Sequence, residues 1–327
     1  MKKFLKISGI LILIVFIGVL GLLSYVKFAL PNVGPASDIK VEMTEANIAR
    51  GKYLATHVTV CMDCHSTRNW SEFSGPLVDG TIGNGGETFD KSVGMPGAYY
   101  SANITPYGIS NWTDGEIFRA ITTGVRKNGK PIFPVMPHPA YGQGDAEDIK
   151  CIIAYLRNLT PIEKKVQESH SDFPMNFIIN TIPQKANLQP HPSEENTLEY
   201  GKYLTTIAAC RDCHTPFEKG NYDLTMAYSG GRVFDLPWGK ITTPNITPDT
   251  ETGIGNWTKD AFIARFKSYV DSNNNPIHTP VKPNDFNTFM PWTMYGGMTQ
   301  KDLGAIYEYL RTLAPIKHVT VKFVPKS

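Results

Sequence analysis

The stretch GKYLATHVTVCMDCH at residues 51–65 returns as GKYLTTIAACRDCH at residues 201–214. Two further blocks repeat in the same order. NITPYGISNWT (103–113) returns as NITPDTETGIGNWT (245–258) with three extra residues, and MPHPAYGQGDAEDIKCIIAYLRNLTPI (136–162) matches MPWTMYGGMTQKDLGAIYEYLRTLAPI (290–316) without a gap. Repetition in a fixed order means that one folding unit occurs twice. The expected domains are 46–162 and 199–327, joined by a proline-rich connector at 163–198 that carries Pro174, Pro183, Pro190 and Pro192. Within the connector, FPMNFIINTIP is apolar enough to lie against a domain surface.

Each copy opens on a short helix around GKYL and closes on a stronger one. Asp145 and Thr299 are the expected N-caps of the closing helices. Apolar residues then recur at helical spacing, through Ile149, Ile152, Ile153 and Leu156 in one copy and Leu303, Ile306, Tyr307 and Leu310 in the other. Gly51 and Gly201 are expected to let the opening helix approach the closing one, opposite Tyr155 and Tyr309. Between these helices the copies are rich in Gly, Pro and Asn, which predicts long loops with little sheet and an all-α fold class. Loops of that length fit a compact domain when a large apolar cofactor supplies the missing core.

Four of the five cysteines fall in Cys61-Met-Asp-Cys64-His65 and Cys210-Arg-Asp-Cys213-His214. C-x-x-C-H is the pattern of c-type haem attachment. Two cysteines about one helical turn apart reach the two vinyl groups of one porphyrin, and the adjacent imidazole turns onto the iron. A zinc site or a redox dithiol is the competing reading. Each copy lacks a second ligand pair at zinc-finger spacing, and a His follows each motif directly. Cys151 is left over; it stands where the second copy has Ala305 and is expected to be a small core residue.

A second axial ligand distinguishes a carrier from an enzyme with an open iron. The first copy offers Met95, Met136, His57 and His138; the second offers Met226, Met290, Met294 and Met298. Only Met136 and Met290 coincide in the repeat, each followed by Pro, so they are the expected distal ligands of the two covalently bound haems. A thioether favours ferrous iron and, with His, fills both axial positions, which suits one-electron transfer. Trp112 and Trp257, in the shared N-W-T, are candidates to pack on a haem and donate to a propionate, with a role as core aromatics the equal alternative. N-I-T matches a glycosylation acceptor, but Pro follows it in both copies, in a loop expected to line the cofactor pocket.

The net charge is +2, but Lys2, Lys3, Lys6 and Lys27 precede residue 31 with no acid, leaving 28 basic against 30 acidic residues beyond. The body is therefore near neutral, and no basic field suggests nucleic acid. Between Lys6 and Lys27, twenty uncharged residues match the length of a membrane span. Three lysines before them keep that end cytoplasmic. The alternative is a cleaved signal peptide; the length of the run and the lack of a small-x-small cleavage site favour an anchor over 1–30, followed by a tether at 31–45.

With these residues in place, the chain resembles the diheme cytochromes c of bacterial envelopes, especially those related to the cytochrome subunits of membrane-bound alcohol and aldehyde dehydrogenases. The likeness spans about residues 46–320 and rests on CMDCH, CRDCH, NITP, GIGNW, MPW and DLGAIYEYLRTLAP. It implies two mainly helical cytochrome c domains, with His65/Met136 and His214/Met290 as axial pairs. Those subunits commonly carry three haem domains, so two domains and an anchor point to a different partner. The expected function is electron transfer on the periplasmic face of a bacterial inner membrane. The donor would be a dehydrogenase or a quinol-oxidising complex, and the acceptor a soluble cytochrome or a terminal oxidase. The chain is expected to be a carrier or a complex subunit rather than a stand-alone enzyme. The runner-up is a diheme peroxidase or a thiosulfate-oxidising cytochrome; a haem-based sensor is third, with only three charged residues before the helix to carry a signal.

Two C-x-x-C-H motifs predict two haems per chain, retained through thioethers on acid-acetone extraction. A haemochrome assay that returns one haem per chain, or haem lost to the solvent, would defeat this expectation.

Overall fold

The computed structural model describes residues 1–326; Ser327, the end of the second expected domain, lies outside the described residues. The apolar N-terminal run forms α1 (Lys2–Phe28), a helix long and apolar enough to cross a membrane, with no residue buried by the rest of the chain.

The first repeat begins on α2 (Glu45–Tyr53), where Thr44 accepts a hydrogen bond from the Asn47 amide. A five-residue π-helical segment, Leu54–Val58, follows it and leads to the one-turn helix α3 (Cys61–Cys64). The second repeat runs straight from α2's equivalent into its motif and is one residue shorter there, so the π-helical turn accommodates the extra residue of the first copy. After α4 (Pro106–Ile109), Thr113 closes a capping box with Glu116 at the start of α5 (Asp114–Thr123). The repeated N-W-T therefore ends on a helix cap. The short α6 (His138–Tyr141) precedes the closing helix α7 (Ala146–Asn158), which Asp145 caps through the Glu147 and Asp148 amides.

The connector holds α8 (Met175–Ile178) and a short turn, Ile179–Thr181, both of which pack against α1. The second repeat contains α9 (Thr197–Ile207), α10 (Cys210–Cys213), α11 (Lys259–Lys267, capped by Thr258), α12 (Trp292–Tyr295) and α13 (Gln300–Arg311, capped by Thr299).

The all-α expectation is met only in part, because 40% of the chain is helical and 10% lies in strands. Three small antiparallel sheets gather the loops. In the first, β1 (Thr88–Phe89) pairs with β2 (Gly97–Tyr100), and β2 with β3 (His170–Ser171) from the connector. A hairpin joins β4 (Phe217–Glu218) to β5 (Asn221–Tyr222). In the third, β6 (Val233–Leu236) pairs with β7 (Gly239–Thr242), and β7 with β8 (Phe323–Pro325) from the C-terminal tail. Strands of two to four residues satisfy the backbone groups of the loops but are too short to show a period of two in the sequence.

In both halves the opening and closing helices touch backbone to backbone. A Cβ on Gly51 would lie 1.8 Å from the Cys151 carbonyl oxygen, and one on Gly201 would lie 2.0 Å from that of Ala305. The faces that meet are the ones read from the sequence: Ile149, Ile152, Ile153 and Leu156 are buried, as are Leu303, Ile306, Tyr307 and Leu310. Cys151 is half-buried rather than a core residue; its carbonyl, not its thiol, makes the contact.

The halves dock through a reciprocal exchange. Tyr203 of α9 donates to Asp148 of α7 at 2.6 Å, and Tyr53 of α2 donates to Asp302 of α13. Arg50 adds an ion pair to Asp148 at 2.9 Å, and Tyr200 a hydrogen bond to Asp302 at 3.0 Å. Each carboxylate sits in the first turn of its helix, where the unpaired amides favour negative charge.

Gly51→Ala and Gly201→Ala force a methyl group into backbone that has no side chain to move aside. Each is expected to lower stability by about 1–3 kcal/mol or more, read as a fall in the unfolding midpoint. Gly9→Ala in α1, where nothing lies within 4 Å, is the control expected to leave it unchanged.

Candidate haem-binding site

The residue before each motif adopts a left-handed backbone conformation, Val60 at φ 45° and Ala209 at φ 53°. That turn breaks the opening helix and starts the one-turn helix holding both cysteines. A β-branched residue at positive φ is costly, and a buried tyrosine from the distal block fixes the turn in each half. Tyr141 Oη donates to the Thr59 carbonyl at 2.7 Å, and Tyr295 Oη donates to that of Ala208 at 2.8 Å.

The histidines close the motif helices, with the His65 amide on the Cys61 carbonyl and the His214 amide on the Cys210 carbonyl, both at 3.0 Å. Their Nδ1–H groups donate to backbone carbonyls, His65 to Ala102 at 2.7 Å and His214 to Pro244 at 2.8 Å. This bond fixes the tautomer and leaves Nε2 free to bind a metal. Burial, opposed by the bond to the carbonyl, holds both imidazoles below their ordinary pKa, which favours the neutral form. Burial also pushes the four motif thiols up, Cys210 to about 12.

The accepting carbonyls are held by the residue that follows each. Asn103 Nδ2 donates to the Ile162 carbonyl at 2.8 Å, and Asn245 Nδ2 donates to that of Ile316 at 2.7 Å. Thr105 and Thr247 donate to these asparagines and accept from the Ile162 and Ile316 amides. The repeated N-I-T thus clamps the repeated P-I that ends each copy. Both asparagines are buried, so neither is available to carry a glycan. Sequence reading missed these carbonyls and Tyr141 and Tyr295, although the tyrosines coincide in the ungapped block and the carbonyls immediately precede N-I-T.

Cys61, Cys64, His65, Met136 and Trp112 line one cavity of about 1040 Å³, and Cys210, Cys213, His214, Met290 and Trp257 line the same cavity. None of the rejected ligand candidates reaches its wall. Met298, Met294 and His138 are buried elsewhere; His138 packs on Gly124 with Nε2 unpartnered and is pushed down to about 4 by burial. His57 Nδ1 bonds the Met294 carbonyl at 2.9 Å, across the two halves. Met95 and Met226 lie outside the lining. Trp112 and Trp257 face the cavity, and their loops are held by the closing helices, with Arg157 on the Ile109 carbonyl and Arg311 on that of Gly255.

Comparison with known proteins places the chain among relatives of c-type cytochromes: its homologues are cytochrome c subunits of alcohol, gluconate and fructose dehydrogenases and a diheme cytochrome c, at modest identity over most of the chain. The cytochrome c subunit of a quinone alcohol dehydrogenase from Komagataeibacter europaeus is 26% identical over 289 residues, 83% of this chain and 57% of that protein. The cytochrome c subunit of gluconate 2-dehydrogenase from Pantoea cypripedii is 28% identical over 299 residues, covering 83% of this chain and 60% of its own length. A diheme cytochrome c-type protein of Cereibacter sphaeroides is 28% identical over 199 residues, 58% of this chain and 63% of that one. The chain thus spans less than two thirds of the length of each of these relatives. No family model matches it.

Such homologues imply haem c, and the donor set fits the group. Free thiols stand in pairs one turn apart. Each neighbouring imidazole has its Nδ1 occupied and its Nε2 without a bond, and a thioether lines the same apolar cavity.

Met290→Ala is expected to remove the sulfur ligand of one iron, lower its potential and let carbon monoxide reach it, while Met298→Ala leaves the spectrum unchanged. Met298 is 1% exposed, so its truncation costs about 2–5 kcal/mol of packing alone. In the first half Met136→Ala should open the iron and His138→Ala should not. Visible spectra of the four variants with and without carbon monoxide decide the assignment.

Proposed function

We propose that the chain is a diheme cytochrome c that passes single electrons between redox partners at a membrane. One haem belongs to each repeat, held by Cys61, Cys64, His65 and Met136 in a domain over 46–162, and by Cys210, Cys213, His214 and Met290 in a domain over 199–327. The observation that carries this reading is the coincidence, twice over, of a thiol pair, a carbonyl-oriented imidazole and one thioether on the wall of a single cavity.

Haem iron bound by such a set supplies reversible one-electron chemistry. The protein's part is to hold two axial donors on rigid elements, so that little rearranges between redox states. With both axial positions filled, no coordination site remains for peroxide or another substrate. Asp145 and Thr299 fix the closing helices, which in turn hold the loops of Trp112 and Trp257 against the cavity.

The homologues named as dehydrogenase subunits support a dehydrogenase as the electron donor, with a quinol-oxidising complex as the related alternative. A soluble cytochrome or a terminal oxidase would take the electron. We assign α1 as an inner-membrane anchor with both haem domains in the periplasm. Asn176, Ile179 and Asn180, from the connector that packs on α1, also form part of the cavity wall, which brings the haem region close to the anchor.

The isolated, detergent-solubilised protein is expected to reduce an oxidised soluble cytochrome c rapidly, while neither binding carbon monoxide in the ferrous state nor turning over hydrogen peroxide. Stopped-flow reduction and a peroxidase assay test this; substantial peroxide turnover would transfer the reading to a diheme peroxidase.

A further inference from the structure

The segment after the first motif crosses to the other half and grips the loop that carries Met290. Ser74 Oγ donates to the Met290 carbonyl at 2.6 Å and accepts from the Trp292 amide at 3.1 Å. The Ser74 amide donates to Asn287 Oδ1 at 2.8 Å, and Asn287 Nδ2 donates back to the carbonyls of Trp70 and Glu72. Ser74 and Asn287 are both fully buried, at 0% and 2% exposure. Two backbone bonds extend the contact, from Phe73 to the Thr279 carbonyl and from Val281 to that of Ser71.

The grip is anchored at its other end in the first attachment motif. Asp63, between Cys61 and Cys64, holds Arg68 at 2.8 Å, and the same guanidinium donates to the Ser74 carbonyl at 2.6 Å and the Gly75 carbonyl at 2.9 Å. Arg68 also lies 4.0 Å over the ring of Trp70. A short run of buried contacts therefore joins the first C-x-x-C-H to the backbone of the second repeat's thioether residue.

The arrangement occurs once. Met136 has backbone bonds to Phe133 and His138 of its own half, and among the described residues none from the other. The second repeat's loop after its motif is shorter and closes on itself through the β4–β5 hairpin.

We propose that Ser74, with Asn287, is a positioning residue for Met290, so that thioether ligation of the second iron depends on docking of the first repeat whereas ligation of the first iron is self-contained. This rests on Met290 being the distal ligand. Ser74 Oγ touches the residue's carbonyl and not its sulfur. Its effect is to limit how far the Met290 backbone can swing, because losing the bond leaves the carbonyl with one donor, the Trp292 amide, in place of two.

Ser74 sits at φ 63°, so Ser74→Gly removes the hydroxyl without straining the backbone. Asn287→Asp is the second variant; it keeps the acceptor for Ser74 and loses both donors. The holoprotein is titrated spectroscopically for both potentials, and the sulfur–iron charge-transfer absorption and the rate of displacement by imidazole are followed in parallel with Met290→Ala and Met136→Ala. Ser74→Gly is expected to raise displacement at the second iron up to about tenfold, the equivalent of one hydrogen bond, and to lower that potential, with the first haem unchanged; Asn287→Asp should act in the same direction. If Met290→Ala abolishes one sulfur–iron absorption but Ser74→Gly and Asn287→Asp leave displacement and potential as in the parent, the positioning role is overturned. Equal changes at both haems would overturn it as well. If Met290→Ala itself leaves both absorptions intact, the ligand assignment fails, and the role of Ser74 falls with it.

Discussion

The contact on which both halves depend is the backbone approach of the opening helix to the closing helix at Gly51 and Gly201. A glycine there lets the two helix backbones touch, and the segment that leaves each opening helix turns on a left-handed residue, Val60 or Ala209. The attachment motif must follow at once, since the one-turn helix begins at the next residue. The closing helix then reaches outward with Arg157 or Arg311 to hold the tryptophan loop. The attachment motif and the tryptophan loop are thus placed by the same pair of helices, which explains why the chain can leave so much of the intervening backbone irregular.

The repeated blocks are partners in space as well as in sequence. N-I-T bonds to the P-I at the end of each copy, and the carbonyl just before N-I-T receives the histidine proton. The tyrosine five residues after each Met-Pro methionine returns to the backbone before the cysteines. Every segment that recurs therefore carries either a residue on the cavity wall or a hydrogen bond that holds such a residue's surroundings. The segments that follow each motif, 66–82 and 215–227, do not recur, and they differ between the copies in length and structure.

This division also sets what could be read from the sequence. The helix faces, the caps at Asp145 and Thr299, the close approach at Gly51 and Gly201 and the presence of Met136 and Met290 rather than their neighbours on the cavity wall were legible, because periodicity and an ungapped repeat both report local or duplicated constraints. The sheets were not, since β3 and β8 come from the connector and the tail and pair with loops far away in the chain. The docking of the halves was equally hidden. Tyr53, Tyr203, Asp148 and Asp302 are conspicuous as equivalent pairs, yet nothing in the repeat says that each tyrosine bonds the other copy's aspartate rather than its own. Self-comparison finds what the copies share and is silent about how they meet.

Duplication alone would give two equal candidate sites. The proximal chemistry here is equal to within 0.1 Å in the histidine–carbonyl bonds, so any difference between the centres has to come from their surroundings. Those surroundings diverge. Cys64 is half-buried whereas Cys213 is exposed, and the aspartate within the motif is paired with a buried arginine only in the first copy, since Arg211 beside Asp212 lies in solvent. The connector that packs on α1 also forms part of the cavity wall, while the second repeat's Met290 loop is braced by the first repeat. A low-dielectric, paired environment and a more open one stabilise added charge to different degrees. The loops that lie outside the repeat are therefore where the two halves of the chain come to differ, with the shared helices left free to hold the repeated residues in place.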